Sequence, residues 1–371
     1  MHRMGKEHRP PLASLACVND GCQQYAQAGH GNLSVRKTYG KDELRYLRCR
    51  SCGREFSERR NTPLWNSKIS EQKALAVAEQ LAEGTSFKGT SRVVKVSPEA
   101  VRRLARQLGE HGERFHDTHV KDLSVVALQA DERWGFVGSK QQQLWEAEVI
   151  DPESRLIVER AQGPRNEALL RRLLEGAQRR LCYPHGVVLF SDGEPSYQTL
   201  FPEVFGVPYR PARSRQRGRF PKVRYRIART QAHVQIVKQR LGKRVVNVDI
   251  RLAHGSHKRL ERELRRLGYR KPNTSAIERR NATARRMDAC SVRKTLAFAR
   301  TPETRDARGS WSMSVYNWVR EHRSLRRPLA EPQGRRKYER RSPAMAAGLT
   351  DHLWPIAELL RCPTYPAQGQ R

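Results

Sequence analysis

The sequence has little acidic charge and no long apolar run. It carries 38 Asp and Glu residues against 72 Lys and Arg, a net charge of +34 over 371 residues. No apolar stretch reaches the roughly 18 residues of a membrane-spanning helix, and the N-terminus has no apolar signal segment. We therefore expect a cytoplasmic protein without a membrane partner. Such an excess of positive charge predicts a polyanionic partner, nucleic acid first, although a solvated basic surface is the alternative.

Cysteine is also sparse, and its odd count of seven, with no export signal, argues against a disulfide framework. Four of the cysteines form two close pairs, Cys17 with Cys22 and Cys49 with Cys52. Each pair can supply two thiolates from one tight turn, and four thiolates complete the tetrahedral shell of Zn²⁺. The spacing predicts a structural zinc site that so small a domain needs in order to fold. Four reduced free thiols are the alternative.

Composition and turn signals divide the chain into five segments. Residues 301–312 are polar and rich in turn formers, which predicts a linker or long loop at the start of the last segment. The stretch 207–270 is strongly basic, and the sequence does not assign it to an element. The segments are a basic tail predicted to be disordered (1–12), a zinc ribbon (13–64), a helix-turn-helix DNA-binding domain (65–118), a catalytic α/β domain (119–300) and a helical C-terminal extension (301–371).

The segment 65–118 carries the pattern of three helices. Ser70 can cap a helix that runs to about Glu83, a shorter helix covers 86–93, and Ser97 followed by Pro98 is a typical start for the third. Arginines of the third helix lie away from its apolar stripe, as in a helix that enters the major groove. A plain helical bundle with a solvated arginine face is the alternative. The residues predicted to contact DNA are Arg102, Arg103 and Arg106.

The strand pattern of residues 119–300 predicts a mixed sheet. Residues 125–137, 144–150 and 156–160 are expected to form an antiparallel meander. A crossover helix over 166–181 and a buried parallel strand over 186–191 follow. This order of elements is that of an RNase H-like fold. The predicted fold class is therefore multidomain α+β with an RNase H-like catalytic domain.

Two acidic residues lie where the predicted strands reach the edge of the sheet. Asp192 directly follows the buried strand, and in open sheets sites form at the carboxyl ends of strands. The alternative is an ordinary turn aspartate before Gly193. Asp131 stands within an otherwise apolar strand, where a carboxylate is costly unless it is paired or binds metal. Glu132 points to the other face, and the sequence leaves open which of the two neighbours faces the site.

A third acidic residue is expected on a later helix, over residues 275–286. Glu278 is the candidate, although Ser275 and Glu278 also fit a capping box that would simply close the helix start. Asn281 follows one turn later on the same face. Positive charge suited to a DNA backbone surrounds this face on Arg279, Arg280, Arg285 and Arg286.

Three carboxylates suit phosphoryl transfer at a DNA phosphodiester. Mg²⁺ or Mn²⁺ takes oxygen ligands, so a few carboxylates suffice to hold it. Two such ions can activate the attacking oxygen and stabilise the leaving oxygen. The acids predicted to be catalytic and to bind these ions are Asp131, Asp192 and Glu278.

At these residues the chain resembles the DDE transposases of the insertion-sequence-one type, which belong to small bacterial mobile elements. The resemblance covers about residues 15–360, and the order of zinc motif, helix-turn-helix and catalytic domain is also the family's. Arg280 departs from it, since family members often have an aromatic residue there. The matching stretches are Asp131–Val137, Phe190–Gly193, Ile277–Asn281, Tyr316–Leu325 and Ser342–Leu349.

The resemblance implies an enzyme that binds the terminal inverted repeats of an insertion sequence, cleaves DNA with bound metal and joins the ends to target DNA. It assigns the metal-binding triad to Asp131, Asp192 and Glu278. It also implies at least a homodimer, because both ends of the element must be held together. It further implies a bacterial cytoplasmic protein associated with the nucleoid. An RNase H-like nuclease or resolvase without joining activity would share the acids. A non-catalytic DNA-binding regulator would share the zinc ribbon, the helix-turn-helix and the charge.

Overall fold

The computed structural model describes residues 9–40, 42–212, 220–242 and 244–365. Most of the predicted N-terminal tail (1–8) and part of the basic region (213–219) lie outside the described residues. Where the chain enters the described part, Arg9 pairs with Glu58 and Leu12 packs against the N-terminal core. The rest is a mixed α+β protein built round a six-stranded mixed sheet, as the strand pattern predicted.

The N-terminal segment is a small three-stranded antiparallel sheet. Its apolar core is limited to a few side chains, among them Leu15, Leu47 and Phe56, which pack with three of the four clustered cysteines. A core of this size contributes little stability, so a metal crosslink between its loops would matter for folding. The strands are β1 (Leu33–Tyr39), β2 (Leu44–Cys49) and β3 (Glu55–Ser57).

Three helices follow, as predicted, and each begins at a serine whose hydroxyl accepts a hydrogen bond from a backbone N–H of the first turn. The capping residues are Ser70, Ser86 and Ser97. The third helix is long, and its C-terminal half carries Phe115 into the main core of the protein. The helices are α1 (Glu71–Ala82), α2 (Phe87–Val94) and α3 (Pro98–His119).

The middle of the chain supplies the sheet and the helices that cover it. The strands are β4 (Ala127–Arg133), β5 (Phe136–Val137), β6 (Ser139–Gln143), β7 (Trp145–Ile150), β8 (Ile157–Gly163), β9 (Val188–Ser191), β10 (Val207–Tyr209), β11 (Arg224–Arg226), β12 (Ala232–Leu241) and β13 (Arg244–His254). The helices are α4 (Glu167–Arg180), α5 (Pro195–Phe205), α6 (His257–Leu267) and α7 (Ser275–Met287).

The six-stranded sheet has the order β13-β12-β9-β4-β7-β8. β4, β7 and β8 form the predicted antiparallel meander, α4 is the crossover, and β9 lies parallel to β4. β12 continues parallel to β9, and β13 returns beside it as an antiparallel edge strand. β9 is buried along its whole length, which is why its four residues are apolar or small.

Helices cover both faces of the sheet. On one face, α4 and α5 pack with α3 into the main core, which also takes in α1 and the C-terminal segment. On the other face, Ala127, Phe190 and Val234 meet Leu260 of α6. α7 lies on this second face, where Gln129 of β4 donates a hydrogen bond to the carbonyl of Asn273 and accepts one from the backbone N–H of Ile277. These two bonds fix the start of α7 over the end of β4.

The predicted loop at 301–312 is wrong, because these residues form most of helix α8 (Pro302–Ser314). Thr301 caps it by accepting from the Thr304 N–H, and Pro302 occupies its first turn. Several of the polar residues that suggested a loop are buried in the helix, among them Arg308, which pairs with Asp288 at 2.5 Å. Gly109 of α3 faces Ala307 so closely that only a glycine fits between the two helices.

The C-terminal segment is not helical throughout, since a β-hairpin interrupts it. Its end returns to the N-terminal domain, where the Thr364 N–H donates to the carbonyl of Asn61 and the Ala16 N–H donates to the Tyr365 hydroxyl. Within the described part of the chain, no helix is both long and apolar enough to cross a membrane. The elements after α8 are β14 (Arg327–Gln333), β15 (Arg336–Glu339), α9 (Pro343–Ala346) and α10 (Ile356–Arg361).

Candidate active site and zinc site

The four predicted zinc ligands meet at one point of the N-terminal domain. The sulfur atoms of Cys17, Cys22, Cys49 and Cys52 all lie within 4.8 Å of one another. Cys17 Sγ is 3.6 Å from Cys52 Sγ, and Cys22 Sγ is 4.0 Å from Cys49 Sγ. Sulfur atoms around a tetrahedral zinc, with Zn–S bonds of about 2.3 Å, would be about 3.8 Å apart. The quartet therefore fits a closed, structural zinc site.

Polar groups around Cys49 favour the thiolate form that zinc needs. Asn32 donates a side-chain hydrogen bond to Cys49 Sγ at 3.2 Å. Burial opposes ionisation of Cys49, but hydrogen bonds from the backbone N–H groups of Cys52 and Ser51 outweigh it and lower the pKa of Cys49 to about 6. On Cys17 burial prevails and raises the pKa, so the favourable environment is on the Cys49 side of the quartet.

Asp131 and Asp192 lie just beyond the parallel pairing of two adjacent strands, Asp131 within β4 and Asp192 directly after β9. In the pairing of β4 with β9, Gln129 lies opposite Phe190, and the two aspartates each follow two residues later. Side chains that alternate along a strand return to the same face every second residue, so both carboxylates lie on the face covered by α7. Asp192 Oδ1 accepts from the Glu194 N–H at 3.0 Å, which holds the turn after β9.

The structure separates Asp131 from its neighbour Glu132. Asp131 Oδ2 accepts a 2.8 Å hydrogen bond from the side chain of Asn281 on α7. Glu132 points to the opposite face, where it accepts from the Tyr197 hydroxyl at 2.6 Å and pairs with Arg165. Of the two neighbours, Asp131 is therefore the one on the α7 side of the sheet with Asp192.

The Asp131 carboxyl is in an environment that opposes its ionisation. Burial has the largest effect, and the nearby Asp192 and Glu132 carboxylates add to it, so that the pKa of Asp131 rises to about 7. A carboxyl group crowded by other carboxylates gains most from a cation placed among them. The electrostatics at this edge of the sheet therefore favour a bound positive ion.

Glu278 lies in the first turn of α7, near the two aspartates but not joined to them. It pairs with Lys238 of β12 and accepts from the Thr274 hydroxyl at 2.5 Å, contacts that lower its pKa in spite of burial. Among the described residues, the cysteine quartet is the only group of three or more candidate ligands within 4.8 Å of one another. The three acids thus lie at the same edge of the sheet, but their carboxylate oxygens are not all within 4.8 Å of one another.

A chain of buried polar contacts runs from Asp131 through Asn281 to Arg133, and only part of it was predicted from the sequence. Asn281 was noted only for sharing a face with Glu278, yet it bridges two groups. Its side-chain N–H₂ donates to Asp131, and its carbonyl oxygen accepts from Arg133 at 2.9 Å. Arg133 in turn holds Glu146 at 2.6 Å and Glu148 at 2.8 Å. Alternation along β4 could have revealed Arg133, since it shares a face with Asp131.

Arg280, predicted to contact DNA, belongs to this buried chain instead. Its side chain is 1% exposed, pairs with Glu148 at 2.9 Å and lies over the ring of Tyr316 at 4.5 Å. A guanidinium with this burial cannot reach a phosphate without breaking the pair. Members of the family that the sequence resembles often have an aromatic residue at this position. Here the arginine has a structural reason, because Arg280 neutralises Glu148.

The other predicted DNA contacts differ in their exposure. Arg279 and Arg286 are exposed on α7, whereas Arg285 is partly buried. On α3, Arg102 is exposed and pairs with Glu99, Arg106 is exposed and 3.8 Å from Glu110, and Arg103 is partly buried. These three arginines line a cleft of about 360 Å³ between α3 and α8.

Comparison with known proteins agrees with the resemblance noted in the sequence. Residues 124–248 match the family model described as IS1 transposase. This stretch includes Asp131 and Asp192 and ends before Glu278. The predicted similarity to transposases of the insertion-sequence-one type is thereby confirmed for this part of the chain, whereas the assignment of Glu278 depends on its place in the fold.

Curated relatives match over a short part of the chain. The insertion element IS1 protein InsB of Shigella sonnei is 34% identical over 76 residues, which are 20% of this chain and 54% of the relative. The IS1 9 protein InsB of Escherichia coli (strain K12) is 34% identical over 76 residues and 42% of its length. The chain thus spans about half the length of these relatives. A pre-cleavage Mos1 transpososome structure is 11% identical, with a TM-score of 0.19, over 67% of this chain and 78% of that one.

Proposed function

We propose that this chain, whose residues 124–248 match the IS1 transposase family, is a DNA transposase that cleaves DNA and joins the cut ends to target DNA. One observation carries the proposal. Asp131 and Asp192 each lie two residues beyond the last parallel pair of β4 and β9, and the electrostatic crowding of Asp131 favours a cation there. This edge is where open sheets form their sites.

The strand order supports an RNase H-like catalytic domain. An antiparallel meander, a crossover helix and parallel strands beside the first strand follow one another as that fold requires. In this arrangement α7 brings Glu278 to the edge already occupied by the two aspartates. The proposal therefore keeps Asp131, Asp192 and Glu278 as the catalytic acids.

The same three residues would hold divalent ions, Mg²⁺ or Mn²⁺, and their hard carboxylate oxygens fit such ions. When bound, these ions would supply neutralisation of phosphate charge and activation of the attacking oxygen. Asn281 keeps one oxygen of Asp131 oriented through its amide. Thr274 and Lys238 orient Glu278, because both donate to its Oε1 atom.

The N-terminal modules supply the sequence recognition in this proposal. A zinc ribbon held by the cysteine quartet, and a helix-turn-helix formed by α1 to α3, would bind the terminal inverted repeats. Arg102 and Arg106 support this role because they are exposed on α3, the helix expected to read DNA. Two ends must be cut and joined together, so the proposal includes at least a homodimer.

An end-joining assay tests the function. Full-length protein is incubated with a duplex of the DNA that flanks its own gene, a target plasmid and Mg²⁺. We expect cleavage and joining by the wild type and a loss of at least about 1,000-fold in Glu278→Gln, because phosphoryl transfer depends on the charge held at the acids. The matched control is Glu261→Gln, which removes the same charge from an exposed position on the neighbouring helix α6.

Other outcomes would identify a different protein. Cleavage without joining would favour an RNase H-like nuclease. Sequence-specific binding without chemistry would favour a regulator. Full activity in Glu278→Gln would show that Glu278 is not a catalytic acid, while the proposed roles of the two aspartates would stand.

A further inference from the structure

The basic region between Asp192 and Glu278 contains a hairpin that extends beyond the sheet. β12 pairs with β9 only over Ala232–Gln235. From 236 onward, among the described residues, β12 pairs only with β13. We call residues 236–241 and 244–250 the hairpin arm. Six residues of one strand and seven of the other give it a length of about 20 Å.

One face of the hairpin arm is continuous with the acids. Val234 lies opposite Phe190, so Ile236, two residues on, falls in the same row as Asp192 and Asp131. Lys238 and Arg240 follow on this face, and Lys238 already reaches Glu278. We call it the acid-side face.

The acid-side face combines cations with apolar side chains exposed to solvent. Across the hairpin, Ile250 lies opposite Ile236, Val248 opposite Lys238, and Val245 opposite Arg240. Val245, Val248 and Ile250 are each exposed by more than a third. The reverse face carries the polar pair Gln239 and Asn247, together with Val237 opposite Asp249 and Leu241 opposite Arg244. What distinguishes the acid-side face is that its exposed branched side chains lie next to two cations in the row that continues to the acids. This combination indicates a binding surface.

We propose that the acid-side face of the hairpin arm binds duplex DNA directly beside the catalytic acids. Lys238 and Arg240 would contact phosphates, while the branched side chains of Val245, Val248 and Ile250 would lie against the sugar edges of the minor groove. The inference rests on the proposed function, since it takes DNA to be the substrate held at the acids.

Charge favours DNA over a second copy of this chain as the occupant. A second copy in the same position would bring its own Lys238 and Arg240 against these cations, whereas DNA brings phosphates. The face also points to the acids, where the scissile phosphate has to lie in the proposed reaction. A duplex that reaches the acids would therefore run along the arm.

The test uses a photocrosslink from each face of the arm in the full-length protein. Benzoylphenylalanine replaces Val248 on the acid-side face or, as the matched control, Asn247 on the reverse face. Each protein is irradiated with the labelled flanking duplex. We expect a DNA adduct from position 248 and little from position 247. A protein–protein adduct from position 248, or equal DNA adducts from both faces, would overturn the proposal.

A second measurement does not depend on the photoreactive residue. The salt dependence of duplex binding is measured by fluorescence anisotropy for Arg240→Ala and for Arg251→Ala, which removes the same charge from the reverse face. Loss of one phosphate contact lowers the slope of log affinity against log salt by about 0.9. We expect this decrease only in Arg240→Ala, and equal slopes in the two variants would contradict the proposal.

Cleavage by the wild type in the same preparation separates this inference from the proposed function. Cleavage together with a failed crosslink and unchanged slopes would overturn the role of the arm alone. If position 248 crosslinks specifically to DNA but the protein neither cuts nor joins DNA, the arm is a DNA-binding element and the proposed transposase function is wrong.

Discussion

Among single residues, the sequence predicted the candidate ligands but not the side chains that orient them. The four cysteines lie together and Asp131 lies with Asp192, as their spacing and strand positions predicted. Sequence could not decide between Asp131 and Glu132, because either neighbour can face the site until the register of β4 is known. The contact of Asn281 with Asp131 joins residues 150 positions apart, so local patterns could not reveal it.

The raised pKa of Asp131 makes stability depend on pH in the metal-free protein. Its folded pKa of about 7 lies above the ordinary value of 3.8, so the folded state holds a proton that the unfolded state has lost between these pH values. The free energy of unfolding therefore falls as pH rises from about 4 to about 7. We expect Asp131→Asn, which removes this effect, to stabilise the metal-free protein by roughly 2–4 kcal/mol at pH 8 and little at pH 4.

Urea unfolding at the two pH values measures this difference. Glu261→Gln is the control, because its carboxylate is exposed and its loss should leave the pH dependence unchanged. Mg²⁺ should reduce the advantage of Asp131→Asn at pH 8, since only the wild-type carboxylate can bind it. An advantage of the variant that is equal at both pH values would contradict the electrostatic account of this site.

At the scale of elements, the regular segments were predictable and the buried polar ones were not. Helices with a serine cap and an apolar stripe, such as α1 and α3, formed as predicted. α8 was missed because its buried surface contains arginines and small residues, whose partners lie on distant segments such as Asp288. The hairpin of β12 and β13 was missed because its apolar residues are exposed and interleaved with charge, which obscures the alternation.

The zinc ribbon should depend on its metal. We expect Cys49→Ser to lower the zinc content from one ion per chain and to unfold β1 to β3, because the apolar core there is small. Cys182→Ser, at a lone exposed cysteine, is the control. Elemental analysis and limited proteolysis measure both effects. Full zinc content and an intact N-terminal domain in Cys49→Ser would contradict the proposed ligand set.

At the scale of the whole molecule, the net charge of +34 explains why DNA binding alone is a weak test. A protein this basic binds many duplexes at low salt through counterion release, whatever its activity. The distribution of charge is more informative. Buried arginines such as Arg133, Arg160 and Arg280 are neutralised by acids behind the site, whereas other arginines on α3, α7 and the hairpin arm are exposed to solvent.

A change of metal preference at Asp192 would show directly whether this residue binds the catalytic ion. In Asp192→Cys a soft thiolate replaces a hard carboxylate, and Mn²⁺ accepts such a ligand more readily than Mg²⁺ does. Cleavage of the flanking duplex is measured for wild type and variant with each ion. The account predicts that the variant is inactive with Mg²⁺ and regains cleavage with Mn²⁺, while the wild type cuts with both. Full activity of the variant with Mg²⁺, or no recovery with Mn²⁺ by a folded variant, would contradict a metal-binding role for Asp192.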